Sequence, residues 1–133
     1  MFKELDRLTK EGYLRKVTSE CGELVLWNYT DKCTYDRHWN DTTINARGTV
    51  YHVETGKVVA RAFKKFFNFS ELAVSRQRNL LKRTGYSVYE KMDGSLGILY
   101  YYDGEWRINT RGAFTSEQAL YAKEHLLDKY NLR

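Results

Sequence analysis

The 133-residue sequence has 22 basic and 17 acidic residues, and its net charge of +5 mildly favours anionic partners such as nucleotides or nucleic acid. With 42% hydrophobic and 15% aromatic residues it can build a core, which excludes a disordered chain and predicts a single domain over 1–133. It has neither an apolar run long enough to span a bilayer nor an apolar N-terminal signal, which predicts a cytoplasmic protein without membrane contacts.

The N-terminal half predicts one helix followed by two pairs of antiparallel strands. Apolar residues recur at helical spacing over 2–11, and Gly12 fits the end of that helix. Strand-like stretches separated by turn residues then predict four strands, at 13–18, 23–29, 47–53 and 58–63. Between the second and third strands, residues 31–46 are polar and aromatic without a period, which predicts a loop.

The C-terminal half predicts a helix, three strands and a closing helix. The first helix covers 70–83, with Ser70 as its N-cap. The strands are predicted at 86–92, 95–102 and 105–110. The closing helix covers about 116–129, where Thr115 and Gln118 have the spacing of a capping box. Together these elements predict an α+β fold, with a mainly antiparallel sheet and flanking helices.

The motif Lys91-x-Asp93-Gly94 makes Lys91 a candidate nucleophile. A lysine amine attacks only when neutral, and because its reference pKa is about 10.4 it needs shielding or neighbouring cations. The predicted strand 86–92 would bury Lys91 in part. Asp93 can orient the amine or a metal, Gly94 leaves room for a ligand, and Ser95 adds a hydroxyl donor. The competing interpretation is a strand end that enters an ordinary Asp-Gly turn.

Two further clusters suit a nucleotide. In the run 61–68 cations alternate with aromatic residues, so that Lys65 can bind phosphate and an aromatic face can stack on a base. Arg111 ends a predicted strand beside Gly112, where its planar donor fork can bind ribose or phosphate. The competing interpretations are phenylalanines packed in the core and an ordinary surface arginine.

Four sequence pieces together resemble a known family. They are Arg47-Gly48, Lys65-Phe66-Phe67-Asn68, Glu90-Lys91-Met92-Asp93-Gly94-Ser95, and Thr110-Arg111-Gly112-Ala113-Phe114 followed by Ser116-Glu117-Gln118-Ala119. In this order and spacing the sequence resembles the N-terminal part of ATP-dependent RNA ligases, closest to the bacteriophage tRNA-repair type. The resemblance covers about 47–119 and implies the N-terminal portion of the covalent nucleotidyltransferase fold.

The resemblance also implies a reaction. Lys91 would attack the α-phosphate of ATP to form lysyl-AMP, AMP would pass to an RNA 5′-phosphate, and a 3′-hydroxyl would displace it. Asp93 belongs to the same catalytic motif. The implied nucleotide-binding residues are Arg47, Lys65, Phe67, Glu90, Gly94, Ser95 and Arg111. The implied cofactors are ATP and Mg²⁺, and no residue is assigned as a metal ligand. The implied substrate is a pair of RNA ends, with tRNA among the candidates.

The downstream motifs of such ligases have no match in this sequence. We therefore expect the N-terminal part of an adenylation domain that is weakly active or inactive alone and that forms a homodimer or is complemented by a C-terminal chain. Two alternatives stay open. One is a non-catalytic nucleotide- or RNA-binding module, and the other is a nucleotidyltransferase of the DNA-ligase or capping type.

Overall fold

A four-stranded antiparallel sheet and a separate two-stranded hairpin organise the fold. The computed structural model describes residues 1–132. The helices are α1 Lys3–Lys10, α2 Asp31–Tyr35, α3 Asp41–Asn45, α4 Val74–Leu81 and α5 Glu117–Lys129, with a 3₁₀ turn at Phe69–Glu71. The strands are β1 Leu14–Thr18, β2 Leu24–Tyr29, β3 Arg47–His52, β4 Val58–Ala60, β5 Gly97–Tyr102 and β6 Glu105–Thr110.

Strand β2 is the centre of the core because it is buried on both faces. The sheet has the order β1-β2-β3-β4, so β2 has a neighbour on each side. Val25 and Trp27 face a cluster with Leu5 and Leu8 of α1. The alternate residues of β2 face a second cluster, which joins the sheet to the β5–β6 hairpin and contains Leu24, Leu26, Val50, Ala60, Ile98 and Tyr100. Burial of both faces explains why the β2 sequence is continuously apolar rather than alternating.

A β-bulge at Gly48 changes the face of the sheet on which the Arg47 side chain lies. Trp27 pairs with Thr49, but the next residue, Asn28, pairs with Arg47, so Gly48 is an extra residue in β3. Its φ of +76° is the left-handed conformation that favours glycine. Without the bulge, alternation would put Arg47 on the same face as Thr49. With it, Arg47 lies beside Asn28 on the face that the hairpin covers.

The α+β prediction with antiparallel strands and flanking helices is confirmed. The helix predicted at 2–11 and the strands predicted at 13–18 and 23–29 are present with ends that differ by one residue. The hairpin predicted from 47–63 is present too, although its return strand ends at Ala60. No helix within residues 1–132 has the length and apolarity that a membrane span requires.

The loop predicted at 31–46 is wrong, since this segment contains α2 and α3. Each helix has only five residues, which is too short to show a helical period. Both are held by side-chain caps. The Thr30 side chain accepts from the Cys33 N–H, and the Asn40 side chain accepts from the N–H groups of Thr42 and Thr43.

The strand predicted at 86–92 is also wrong. Residues 81–95 are all exposed and form no strand. Strand propensity mostly measures how well a residue fits a half-buried pleated surface, and no strand among residues 1–132 pairs with this segment. The partial burial expected for Lys91 is therefore absent.

Two predicted helix caps are wrong as well. Helix α4 begins at Val74 rather than near residue 70, and Ala73, not Ser70, is its N-cap. The closing helix is capped by Ser116, whose hydroxyl accepts from the Ala119 N–H, and not by Thr115. Ser116 is fixed in that role because its hydroxyl also bonds the Thr110 hydroxyl at 3.0 Å.

Candidate functional site

A cavity of about 370 Å³ opens where the sheet meets the ends of the hairpin. Its size is in the range of small-molecule sites. It is lined by Asn28 and Arg47 from the sheet, Gly94, Ser95 and Leu96 before β5, and Thr110, Arg111 and Gly112 at the end of β6. Four of the residues predicted from the sequence, which are Arg47, Gly94, Ser95 and Arg111, thus share one cavity.

The bulge at Gly48 supplies the sheet side of the cavity. It sets Arg47 next to Asn28, and both side chains then face the hairpin. Within residues 1–132, the buried Asn28 Oδ1 and Arg47 Nε atoms have no hydrogen-bond partner. Buried polar atoms are normally paired, because leaving one unpaired is costly. Both residues line the cavity, although these two atoms are themselves buried. Asn28 and Arg47 therefore bring polar side chains, one of them cationic, to this side of the cavity.

A tight turn at the end of β6 holds Arg111 on the opposite side. The Thr110 N–H donates to the Ala113 carbonyl at 3.0 Å. Arg111 donates from Nη1 to the Tyr29 hydroxyl at 2.8 Å, and its guanidinium lies 4.9 Å from the centre of the Tyr29 ring. Tyr29 thus fixes the guanidinium from one side and leaves its other donors for a ligand.

Lys65 and Phe67 do not line the cavity but are joined to it by a row of aromatic rings. Trp39 packs edge-on against Tyr29, with 5.1 Å between ring centres, and against Phe67, with 5.5 Å. The Lys65 amine lies 4.9 Å from the Phe67 ring and 5.6 Å from the Trp39 ring. The row Phe67–Trp39–Tyr29 therefore connects Lys65 to Arg111 through ring contacts, while Lys65 itself does not line the cavity.

Lys91, Asp93 and Glu90 lie outside the cavity on the exposed segment 81–95. Lys91 is three residues before Gly94, a distance that an extended chain covers in at most about 11 Å. The cavity edge is thus close to Lys91, but Lys91 itself is exposed.

The charge of the lining separates this cavity from others of similar size. Among its described lining residues there are two arginines and no carboxylate. A larger cavity of about 440 Å³ near α5 mixes Glu20 and Glu105 with Arg107 and Lys123. A third, near α1, has Glu4 and Asp41 against Arg61. An anionic ligand is best served by the cavity of Arg47 and Arg111.

Three residues of the site were missed in the sequence: Asn28, Tyr29 and Trp39. Asn28 and Tyr29 were included in the strand predicted at 23–29, and no site role was assigned to them. Trp39 lies just before α3, in the segment that was predicted to be a loop. The Asn40-x-x-Thr43 spacing, which resembles a capping box, was the available signal for that helix.

Comparison with known proteins identifies the family. A family model described as RNA ligase matches residues 45–132. This chain belongs to the RNA ligase family. The match begins just before Arg47 and includes every predicted site residue of this RNA ligase family member.

Two viral relatives agree with this assignment. A protein of Autographa californica nuclear polyhedrosis virus, named "Putative bifunctional polynucleotide kinase/RNA ligase", is 34% identical over 101 residues, which are 71% of this chain and 14% of that protein. An RNA ligase of Rhodothermus phage RM378 is 26% identical over 136 residues, covering 87% of this chain and 30% of that protein. The chain thus spans less than a third of the length of either relative.

Proposed function

We propose that this chain is the N-terminal part of the adenylation domain of an ATP-dependent RNA ligase, built on the nucleotidyltransferase fold. The observation that carries the proposal is the cationic cavity, because Arg47 and Arg111 both line it and its described lining includes no carboxylate. Gly94, the last residue of the Lys91-x-Asp93-Gly94 motif, and Ser95, which follows it, line the same cavity. A nucleotide in this cavity would supply the anionic and hydroxyl groups that these side chains lack.

In the proposed first step, the neutral Lys91 amine attacks the α-phosphorus of ATP. The new N–P bond forms as the bond from phosphorus to the bridging oxygen breaks, pyrophosphate leaves, and the amine loses one proton. Arg47 and Arg111 hold negative charge on the phosphates or ribose hydroxyls, which suits their planar donor forks. AMP then passes from Lys91 to an RNA 5′-phosphate, and a 3′-hydroxyl displaces it, so that the two ends are joined.

Residues 1–132 contain no cluster of side chains that would form a complete Mg²⁺ site. Proteins usually hold it through one or two carboxylates and the phosphates of the nucleotide. Within residues 1–132, no group of three or more His, Cys, Asp or Glu side chains could hold a metal ion. We therefore assign Mg²⁺ no protein ligand here.

A labelling experiment tests the adenylation proposal. We expect α-labelled ATP, but not α-labelled GTP, to label the complete ligase that contains this domain, with a label that survives SDS and is released by acid, as a phosphoramidate is. The 133-residue chain alone is expected to be labelled weakly or not at all. Labelling by GTP would instead indicate a capping-type enzyme. RNA binding without any covalent label would favour the non-catalytic module, which the exposure of Lys91 makes the main alternative.

The cavity itself predicts a loss of ATP affinity in two variants. Arg47→Gln and Arg111→Gln, each in a Lys91→Ala background that blocks the covalent step, are expected to weaken ATP binding by about 10- to 100-fold. The reason is that a hydrogen bond to a charged group contributes about 1.5–3 kcal/mol. Calorimetric titration with ATP measures this. Arg15→Gln, on the exposed edge of β1, removes the same charge and is expected to bind normally; equal losses in all three variants would contradict the site.

A further inference from the structure

Helix α4 and the residues after it carry unbalanced positive charge. The run 72–89 contains four cations and no carboxylate, and all four are exposed: Arg76, Arg78, Lys82 and Arg83. Within residues 1–132 none of these four forms an ion pair, whereas Arg7, Lys16, Lys32 and Arg107 each pair with a carboxylate. Arg78 and Lys82 are four residues apart, a like-charge spacing that destabilises a helix on its own. A polyanion bound here would offset that repulsion.

The cations lie together on one side of the helix. At 100° per residue, Arg78, Lys82, Asn79 and Arg76 follow one another around about 160° of the helix surface, and Arg83 comes directly after the C-cap. Lys82 is the C-cap in helical conformation, so this order extends to the helix end. The opposite side carries Val74, Leu80 and Leu81. The charged side is thus separate from the apolar side, and its chemistry fits a phosphate backbone.

Exposed aromatic rings follow the cations toward the proposed nucleophile. Tyr86 is 74% exposed and Tyr89 is 84% exposed, and both stand between Arg83 and Lys91. Tyrosine rings that are free on both faces stack on unpaired bases irrespective of base identity. Stacking of this kind needs splayed bases, which single-stranded RNA ends provide.

We propose that the cationic side of α4, together with Tyr86 and Tyr89, binds the single-stranded RNA whose 5′-phosphate receives AMP. This surface, which we call the α4 surface, rests on the proposed ligase function. In chain order it runs from phosphate-binding cations through base-stacking rings to Lys91 and then to Gly94 at the cavity. The strand would lie with its 5′ end at Lys91 and its body toward α4.

Salt-dependent RNA binding tests the α4 surface. The probe is a 5′-phosphorylated, single-stranded 12-nucleotide RNA, followed by fluorescence anisotropy in 50–200 mM KCl. The triple variant R78Q/K82Q/R83Q is expected to bind about tenfold more weakly at 50 mM KCl, and the slope of log affinity against log salt is expected to fall by about 2, because each phosphate contact on a single strand contributes about 0.7. The variant Y86A/Y89A is expected to lose about tenfold in affinity with no change in slope.

A charge-matched control separates a local surface from net charge. K3Q/K10Q/R15Q removes three exposed cations from α1 and β1 and is expected to keep the wild-type slope within about 0.5 of its value. Circular dichroism melts check that every variant is folded. If both triple variants lose affinity equally, or if R78Q/K82Q/R83Q changes only self-association, the α4 surface is refuted.

The same samples distinguish this inference from the ligase proposal. Covalent labelling by ATP needs no RNA, so R78Q/K82Q/R83Q is expected to be labelled like the wild type. If labelling is normal and R78Q/K82Q/R83Q binds RNA as tightly as the wild type, the α4 surface is refuted and the ligase proposal stands. RNA binding that depends on the α4 surface, without any label in the complete ligase, would refute the ligase chemistry alone.

Discussion

Lys91→Ala and Lys91→Arg are both expected to abolish the covalent AMP adduct, with a loss of at least about 10³-fold in labelling, because the attacking atom itself is removed. Arginine keeps the positive charge but stays protonated in proteins, so it cannot act as the nucleophile. A charge-only role would instead leave the arginine variant partly active. Mass spectrometry of the peptide that contains Lys91 measures the adduct directly.

Lys82→Ala is the matched control for the nucleophile. Lys82 is an exposed lysine on the same segment, and since adduct formation does not require RNA, its removal should leave the adduct on Lys91 unchanged. An adduct on another lysine, formed as well by Lys91→Ala as by the wild type, would reject the assignment. The ligase family membership would survive that result, but the role of the Lys91-x-Asp93-Gly94 motif would not.

The exposure of Lys91 adds a condition to this chemistry. A nucleophilic amine must be neutral, and shielding or neighbouring cations are what bring that about. In the structure Lys91 is exposed, and the predicted cations Arg47 and Arg111 line the cavity rather than contact its amine. We therefore expect reactivity to require cover over Lys91 itself, which the bound nucleotide would supply.

The parts of the fold that the sequence predicts well are those with a period or a tight turn. The hairpin turns at Gly56 and at Asp103-Gly104 lie where positive φ is needed, and the flanking strands follow from them. Segment 86–92 was wrongly predicted to be a strand because it has strand-forming residues but no partner strand among residues 1–132. Its valine and tyrosines suit a strand, but a strand also needs a partner, and pairing depends on residues far away in sequence.

The site was predictable only in part, because some of its residues lie in a recognisable local pattern and others are brought in by long-range packing. Arg47 and Arg111 could be identified from a family pattern, since they are single residues in recognisable contexts. Asn28 enters the site through the bulge opposite it, and Trp39 enters through a five-residue helix that shows no period. Register shifts and short capped helices are decided by long-range packing, which a local pattern does not contain.

Gly48→Ala is expected to be the most destabilising single substitution at a glycine in the sheet. A Cβ atom at position 48 would lie 2.8 Å from the Arg111 Cα, 2.8 Å from the Ile98 Cδ1 and 3.0 Å from the Arg111 carbonyl oxygen. Two of these atoms are backbone and cannot turn aside. The left-handed φ of +76° adds a strain of about 1–2 kcal/mol for alanine, and overpacking adds about 1–3 kcal/mol.

Gly22→Ala isolates the contact from the backbone strain. Gly22 has nearly the same φ, +77°, but nothing lies within 4 Å of the added Cβ. Its loss of unfolding free energy should therefore be about 1–2 kcal/mol, the cost of the backbone alone. Urea unfolding followed by tryptophan fluorescence, to which the fully buried Trp27 contributes, gives both values on one scale. Equal losses in the two variants would show that β3 and the end of β6 do not meet closely in solution.

The same substitution should damage the site beyond its effect on stability. If Gly48→Ala removes the bulge, Arg47 returns to the face of Thr49 and leaves the cavity, while the clash pushes Arg111 away from Tyr29. At a temperature where the variant remains folded, we expect ATP affinity to fall at least as far as in Arg47→Gln, by about 10- to 100-fold. Gly22→Ala should bind ATP normally. Normal ATP binding by folded Gly48→Ala would mean that the bulge is not what directs Arg47 into the cavity.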